Sequence, residues 1–414
     1  MESILSRNVY RAVAILVLNA LIAFGCFELV ALGFFNFKIP GVNPKPTEQL
    51  IGEGTPRETI SYYTSQDWAK RNWYEFRLSR KQQFYPHVGW RRAPFKGQTI
   101  EVDQNGVRLT PGADCSVKSF KVFTFGASEM WGTGSPNWGT IPAHLQKGLE
   151  KRRQGPVCVT NFAESAYVSM QGVIMLLMQL RSGNVPDVVL FYTLADDIYS
   201  AYQSGRPGVL ENFAQLAARF EGRQEPSASP TIIDRLSRAL KNTNAYWLVD
   251  FLMGKLTIAN PQQGTPTPIK LVTYESMGID VAALSDAIVQ DYLGNYKIVS
   301  ALAQEYGFKY FFFLPPSVSL SDKPLTSEEQ EMKRLGEGET AHLKLLTAVY
   351  RTIESESSKY QNLHSMVHAF DRYDSLMFID DGHVTPIGNQ VIAERMLDVI
   401  LERSSAEKQS TMLY

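Results

Sequence analysis

From residue 121 onward the chain alternates short apolar runs with longer stretches of helical period, and few folds are open to a chain patterned in this way. Strands are predicted at Lys121–Phe125, Val157–Asn161, Val188–Tyr192, Tyr310–Leu314 and Met366–Ala369. They are apolar along most of their length, as expected of strands buried on both faces, which is the condition of a parallel sheet covered by helices. Helices are predicted near Ile141–Lys151, Gln171–Arg181 and Asn389–Glu402, the last with Ile392, Met396 and Val399 on one face. Residues 198–296 read as a helical insertion, with segments at Val209–Phe220 and Ile232–Leu256 and a Pro-rich loop at 260–268. The fold class is therefore α/β with a parallel sheet.

Ahead of this domain, Ala12 to Phe35 is apolar apart from Asn19 and Glu28, with Arg7 and Arg11 before it. At about 1.5 Å per residue the run spans roughly 36 Å, enough for a hydrocarbon core of about 30 Å. Residues 1–36 thus read as a cytoplasmic stub and one transmembrane helix, which leaves the rest outside the cytoplasm at the cell membrane, or in a Gram-negative periplasm. A cleaved signal peptide is the rival, since Ala23-Phe24-Gly25-Cys26 resembles a weak lipoprotein box. Glu28 costs about 2.5–3.5 kcal/mol at a bilayer centre, so it belongs near the outer interface or against a partner helix in the membrane. Residues 37–118 form a linker and a preamble carrying a β-hairpin, Thr99–Val102 with Val107–Leu109 around an Asn105-Gly106 turn. The main domain occupies 119–405 and a tail 406–414.

Charge excludes one class of partner. Lys plus Arg, 41, nearly cancels Asp plus Glu, 42, so the basic footprint of a nucleic-acid binder is missing. Cys26, Cys115 and Cys158 are too few and too scattered for a paired-cysteine zinc site. Cys115 and Cys158 flank the first two predicted strands and are either close enough for a disulfide or two unrelated thiols. His364 and His368 lack the glutamate of a metalloprotease helix, and Gly132, Gly134 and Gly139 are not followed by a phosphate-loop lysine.

Three places carry chemistry. Val122–Phe125 ends in Gly126-Ala127-Ser128, which sets Ser128 at the carboxyl edge of the sheet, where open α/β sheets bind ligands. Asp380-Asp381-Gly382-His383 holds a histidine able to take the serine proton and a carboxylate able to fix its tautomer. Asn161 to Tyr167 leaves the second strand as a loop of small residues, where a backbone N–H can approach an oxyanion; Asn161 itself either contacts substrate or closes the loop.

In order and context these segments resemble the SGNH (GDSL-like) hydrolases over roughly residues 98–402. Phe125-Gly126-Ala127-Ser128 resembles the block with the nucleophile, and Asp380 and His383 match the D-x-x-H block. Tyr192 to Asp197 resembles the Gly-x-Asn-Asp block with two departures, Leu194 for the glycine and Asp196 for the oxyanion asparagine; Ala166 stands where the second block has glycine. The stretch from Phe313-Leu314-Pro315-Pro316 to Thr326 is similar to a membrane-anchored subgroup associated with surface-polysaccharide modification. The resemblance implies a three-layer α/β/α flavodoxin-like domain with no metal or organic cofactor. It implies a triad of Ser128, His383 and Asp380, and an oxyanion hole of Ser128, Ala166 and Asp196. The expected function is an extracytoplasmic esterase or O-acyltransferase acting on acyl, chiefly acetyl, esters of cell-surface carbohydrate. The alternative is a catalytically weak subunit that scaffolds a polysaccharide assembly.

Overall fold

The computed structural model describes residues 56–211, 273–338 and 340–411, together with 15, 18–30, 213, 216 and 217, and gives only the backbone of 403–411. Gly54–Ala217 with Lys270–Tyr414 forms one compact unit. In chain order it holds α1 (Ser61–Thr64), α2 (Ala69–Ser79), β1 (Gln82–Tyr85), β2 (Gly89–Arg92), β3 (Phe95–Lys96), β4 (Glu101–Val102) and β5 (Phe120–Gly126). There follow α3 (Ser128–Trp131), α4 (Ile141–Arg152), β6 (Val157–Asn161), α5 (Ser169–Arg181), β7 (Val188–Tyr192) and α6 (Ala195–Ser204). The rest comprises α7 (Val281–Tyr306), β8 (Lys309–Leu314), α8 (Ser327–Glu337), α9 (Thr340–Ser357), β9 (Leu363–Ser365) and α10 (Pro386–Thr411).

Five strands make a parallel sheet in the order β6-β5-β7-β8-β9. Alternation with period two sorts their side chains between two cores. Phe123 and Phe125 of β5, Val189 and Phe191 of β7, and Phe312 and Leu314 of β8 pack with α5, α6, α7 and α9. Val122, Leu190, Tyr192, Phe311 and Phe313 point the other way, towards α4 and α10. The first core is braced by a stack of rings across three strands, Phe125 on Phe191 at 5.0 Å and Phe191 on Phe312 at 4.5 Å. The strand order reverses between β5 and β7, so a crevice opens beyond their carboxyl ends.

Four expected strands form within a residue or two of their predicted bounds, and the fifth does not. The pairing is made by Leu363–Ser365, whereas Met366–Ala369 turns away from the sheet and buries Met366 and Ala369 in the second core. That segment is apolar because it plugs the core, not because it is a strand. The expected Asn-Gly hairpin forms as a short one: Asp103 N–H donates to the Val107 carbonyl and Leu109 N–H to the Glu101 carbonyl, both at 2.9 Å, around the Val102–Arg108 bridge, while β4 also pairs with β3. Both ends of the predicted insertion are core helices: α6 covers Ile198, and Tyr292 and Val299 of α7 pack in the first core. Ile232–Leu256 and most of Val209–Phe220 lie outside the described residues, as does much of Ala12–Phe35. Residues 18–30 are helical, with Leu21, Leu29 and Val30 exposed. Among the described residues no helix is long and apolar enough to cross a membrane.

Cys115 and Cys158 form a disulfide with Cα atoms 4.8 Å apart. It fastens the end of the preamble to edge strand β6, where Asp114 N–H already donates to the Val157 carbonyl at 3.0 Å. Cys26 is a free, exposed thiol. Thiol counting on the denatured, unreduced chain is therefore expected to find one reactive cysteine, and three after reduction; three before reduction would contradict the bond. Closing a loop of this size is worth about 4 kcal/mol in the chain-entropy account, so Cys115→Ser with Cys158→Ser should lower the denaturation midpoint clearly.

Candidate active site

Ser128 opens α3 directly after β5, and Gly126 is what lets the strand end there. A Cβ on Gly126 would lie 2.4 Å from the Tyr192 carbonyl oxygen and 2.7 Å from Met130 Cβ, so only glycine admits this close approach of β7. The histidine arrives from the other end of the chain. Phe378 and Val384 pair across the neck of a loop, and Ile379 N–H donates to the His383 carbonyl at 2.9 Å. Within the loop, Asp380 Oδ1 accepts from Gly382 N–H at 3.0 Å and His383 N–H at 2.8 Å. This turn presents the carboxylate to its own histidine: His383 Nδ1 lies 2.9 Å from Asp380 Oδ2, and His383 Nε2 lies 2.8 Å from Ser128 Oγ. The three residues assigned to a triad are thus brought together in one hydrogen-bonded chain.

Two anchors hold the loop from outside. Glu329 of α8 accepts from Met377 and Phe378 N–H at 2.9 and 3.2 Å, and its other oxygen pairs with the buried Lys323 Nζ at 2.7 Å. Asp381 instead accepts from Ser317 Oγ at 3.0 Å and Ser319 Oγ at 2.6 Å. The two adjacent aspartates therefore have separate duties, Asp380 toward the imidazole and Asp381 toward the loop after β8.

Ser128 and His383 line a cavity of about 880 Å³ with Arg57, Glu129, Asp196, Met332 and Leu346 among its walls. Its electrostatics are set by carboxylates. Burial alone would pull His383 down, but the charge and hydrogen bond of Asp380, aided by Glu129, raise it above the ordinary histidine value, while Arg57 opposes them. Burial would lift Asp380, yet His383 and Arg57 hold it far below the usual carboxylate range. Glu129 is raised by burial and by Asp380. Asp196 is raised well above the carboxylate range by burial, then by Glu129, Glu211 and Asp197. Next to it, burial pushes Asp197 up to about 7, even though Ser169 donates to it from Oγ at 2.6 Å and from its backbone.

The remaining predicted site residues divide. Asp196 lines the cavity and Ala166 does not. Asn161 is buried and fully engaged: its Nδ2 donates to the Met130 and Trp131 carbonyls and its Oδ1 accepts from Ala163 N–H at 3.1 Å. It closes the β6 loop against α3, the second of the two roles expected of it, rather than lining the cavity as a substrate-binding residue. Ala166 has φ +64° and Leu194 φ +125°, so both departures from glycine fall in left-handed or neighbouring backbone that side chains resist. At Ala166 the αL backbone costs a non-glycine residue roughly 1–2 kcal/mol. The preamble holds that strain in place. Arg92 pairs with Glu164 at 3.2 Å, Trp90 Nε1 donates to the Ser165 carbonyl at 3.2 Å, and Tyr167 Oη donates to the Trp90 carbonyl. Arg57 and Glu129 were not predicted; neither belongs to a motif that marks its chemistry.

Replacing Ser128 with alanine should abolish p-nitrophenyl acetate turnover with an unchanged circular dichroism spectrum. Asp380→Asn should reduce kcat by several orders of magnitude and Asp381→Asn by far less. The opposite ranking of the two aspartates would mean that His383 takes its orientation from the wrong neighbour.

No family model matches the chain, and no curated protein sequence matches it. Among solved structures, a member of the lipolytic protein G-D-S-L family from Veillonella parvula is 10% identical, with a TM-score of 0.32 over 67% of this chain and 97% of its own. TesA is 12% identical, with a TM-score of 0.33 over 68% of this chain and 97% of its own. The esterase EstA from Pseudoalteromonas sp. is 12% identical, with a TM-score of 0.33 over 69% of this chain and all of its own. Likeness at this level bears no weight, and the functional reading rests on the geometry of the site.

Proposed function

We propose that the chain is an SGNH-type serine ester hydrolase or O-acyltransferase. One observation carries the reading: His383 bridges Ser128 Oγ at 2.8 Å and Asp380 at 2.9 Å on the wall of an open cavity. Ser128 Oγ attacks the acyl carbon as its proton passes to His383 Nε2, and Asp380 stabilises the imidazolium. His383 then protonates the departing alcohol, leaving an acyl group on Ser128. Water resolves the acyl-enzyme in hydrolysis and a sugar hydroxyl in transfer. The Ser128 amide and the Asp196 side chain, both at the cavity wall, are the proposed oxyanion donors.

The finer proposal is a membrane-tethered, extracytoplasmic enzyme acting on acetyl or related esters of cell-surface carbohydrate. The apolar Ala12–Phe35 run and the Cys115–Cys158 disulfide support that compartment, since such bonds persist outside a reducing cytosol. Asp196 favours a second reading, a weak catalyst that mainly binds or scaffolds, because an ionised carboxylate at an oxyanion site accepts hydrogen bonds and repels charge.

Protonation separates the two. An Asp196 carboxylic acid has an O–H to donate, so activity should fall as pH rises through its raised pKa, while protonation of His383 removes activity at low pH. In Asp196→Asn the alkaline fall should disappear, and simple esters should turn over faster than in the wild type at alkaline pH. Asp196→Ala should lose about 10²–10³-fold in kcat. Equal rates in all three would place Asp196 outside the reaction, and an asparagine variant slower at every pH would show that the carboxyl has another duty.

A further inference from the structure

Asp380 answers to two cations. Its Oδ2 lies 2.9 Å from His383 Nδ1 and forms an ion pair with Arg57 Nε. Arg57 comes from a short turn, Pro56–Glu58, that precedes every strand among the described residues. That turn is well fixed. Glu58 accepts from Arg77 of α2 at 2.6 Å, and Ser61 N–H donates to Glu328 of α8 at 2.7 Å. Ile60 and Tyr63 pack against Trp73 and against Ile379, the residue next to Asp380. The Arg57 side chain is 41% exposed and Asp380 21%, so the guanidinium covers the triad carboxylate at the cavity wall while reaching solvent itself.

In a serine-histidine-aspartate arrangement the aspartate charge supports the imidazolium formed as the serine gives up its proton. A second cation on the same carboxylate opposes that support. The other charged groups facing His383 are Asp380 on its own loop and Glu129 on α3, both of which raise its basicity; the Tyr63 hydroxyl, buried beside Asp380, stays neutral. Among the groups acting on His383, Arg57 alone pulls the other way by its charge. We propose that Arg57 is a positioning residue of the site: by sharing the Asp380 carboxylate with the imidazole, it makes His383 a weaker base than Asp380 and Glu129 alone would. It holds Asp380 Oδ2 in place and keeps His383 unprotonated, and so competent as a base, to lower pH. Only its kinetic consequence rests on the triad reading; the titration of His383 does not.

The test is a titration of the full-length chain carrying ¹³Cε1-labelled histidine. His383→Gln identifies the resonance among the six histidines. Removing the unit charge that shares Asp380 Oδ2 with the imidazole should raise the His383 midpoint in Arg57→Gln by about half a pH unit or more. Arg57→Lys, which keeps the cation, should stay near the wild type. If esterase turnover is present, the acid limb of its pH profile should move by the same amount. A midpoint in Arg57→Gln that is unchanged or lower would overturn the proposal, as would Arg57→Lys and Arg57→Gln shifting alike, the behaviour of a merely structural contact. A chain without turnover whose His383 midpoint still rises would leave this inference standing and count against the hydrolase reading.

Discussion

The hydrogen bond between His383 Nε2 and Ser128 Oγ joins groups 255 residues apart, and much of the structure exists to hold that length of 2.8 Å. A serine hydroxyl is a poor nucleophile without a base within reach. Ser128 is placed by the end of β5 beneath the β7 carbonyl, and His383 by a loop whose neck, middle and flank are each fastened. Glu329 holds the neck, the Asp380 turn the middle, and Asp381 the flank through Ser317 and Ser319. Glu329 is itself neutralised by Lys323, both side chains being fully buried. Removing either partner of such a pair leaves an uncompensated charge, a loss of about 3–5 kcal/mol. The segment after β8 is therefore part of the site's support although few of its residues touch the reacting groups.

The loops after β6 and β7 are arranged under strain. Ala166 and Leu194 occupy backbone that glycine would adopt freely, and each persists because its surroundings leave no alternative. Leu194 is completely buried in the first core. Ala166 sits in a loop gripped by Arg92, Trp90 and Tyr167, so residues ahead of the sheet shape the turn after β6. Arg108 adds a second grip, donating to the Trp131, Gly132 and Ser135 carbonyls behind α3. The preamble is in this sense built into the site, and Arg57 carries the same principle to the Asp380 carboxylate.

How much of this the sequence disclosed follows from how local each signal is. Strands β5 to β8 are legible because burial on both faces makes them apolar along most of their length. Ser128 is legible as a serine just past a strand and a glycine, and Asp380 with His383 because a three-residue spacing closes a turn within one loop. Met366–Ala369 misleads, since core-plugging residues and strand residues share a composition. Helix α7 is hidden inside what reads as an insertion because its pattern does not say which core it joins. Asn161 looks available until the Met130 and Trp131 carbonyls are seen to claim its amide. Arg57 lies far from any motif, and only the folded chain brings it to Asp380.

The central claim is that Ser128, made nucleophilic by His383, is the atom that takes an acyl group. A fluorophosphonate reagent followed by mass spectrometry of the digested protein tests it most directly. One adduct should form, on the peptide bearing Ser128, and it should be lost when His383 is replaced by glutamine. An unmodified chain, or an adduct on another serine that survives the His383 replacement, would contradict the account.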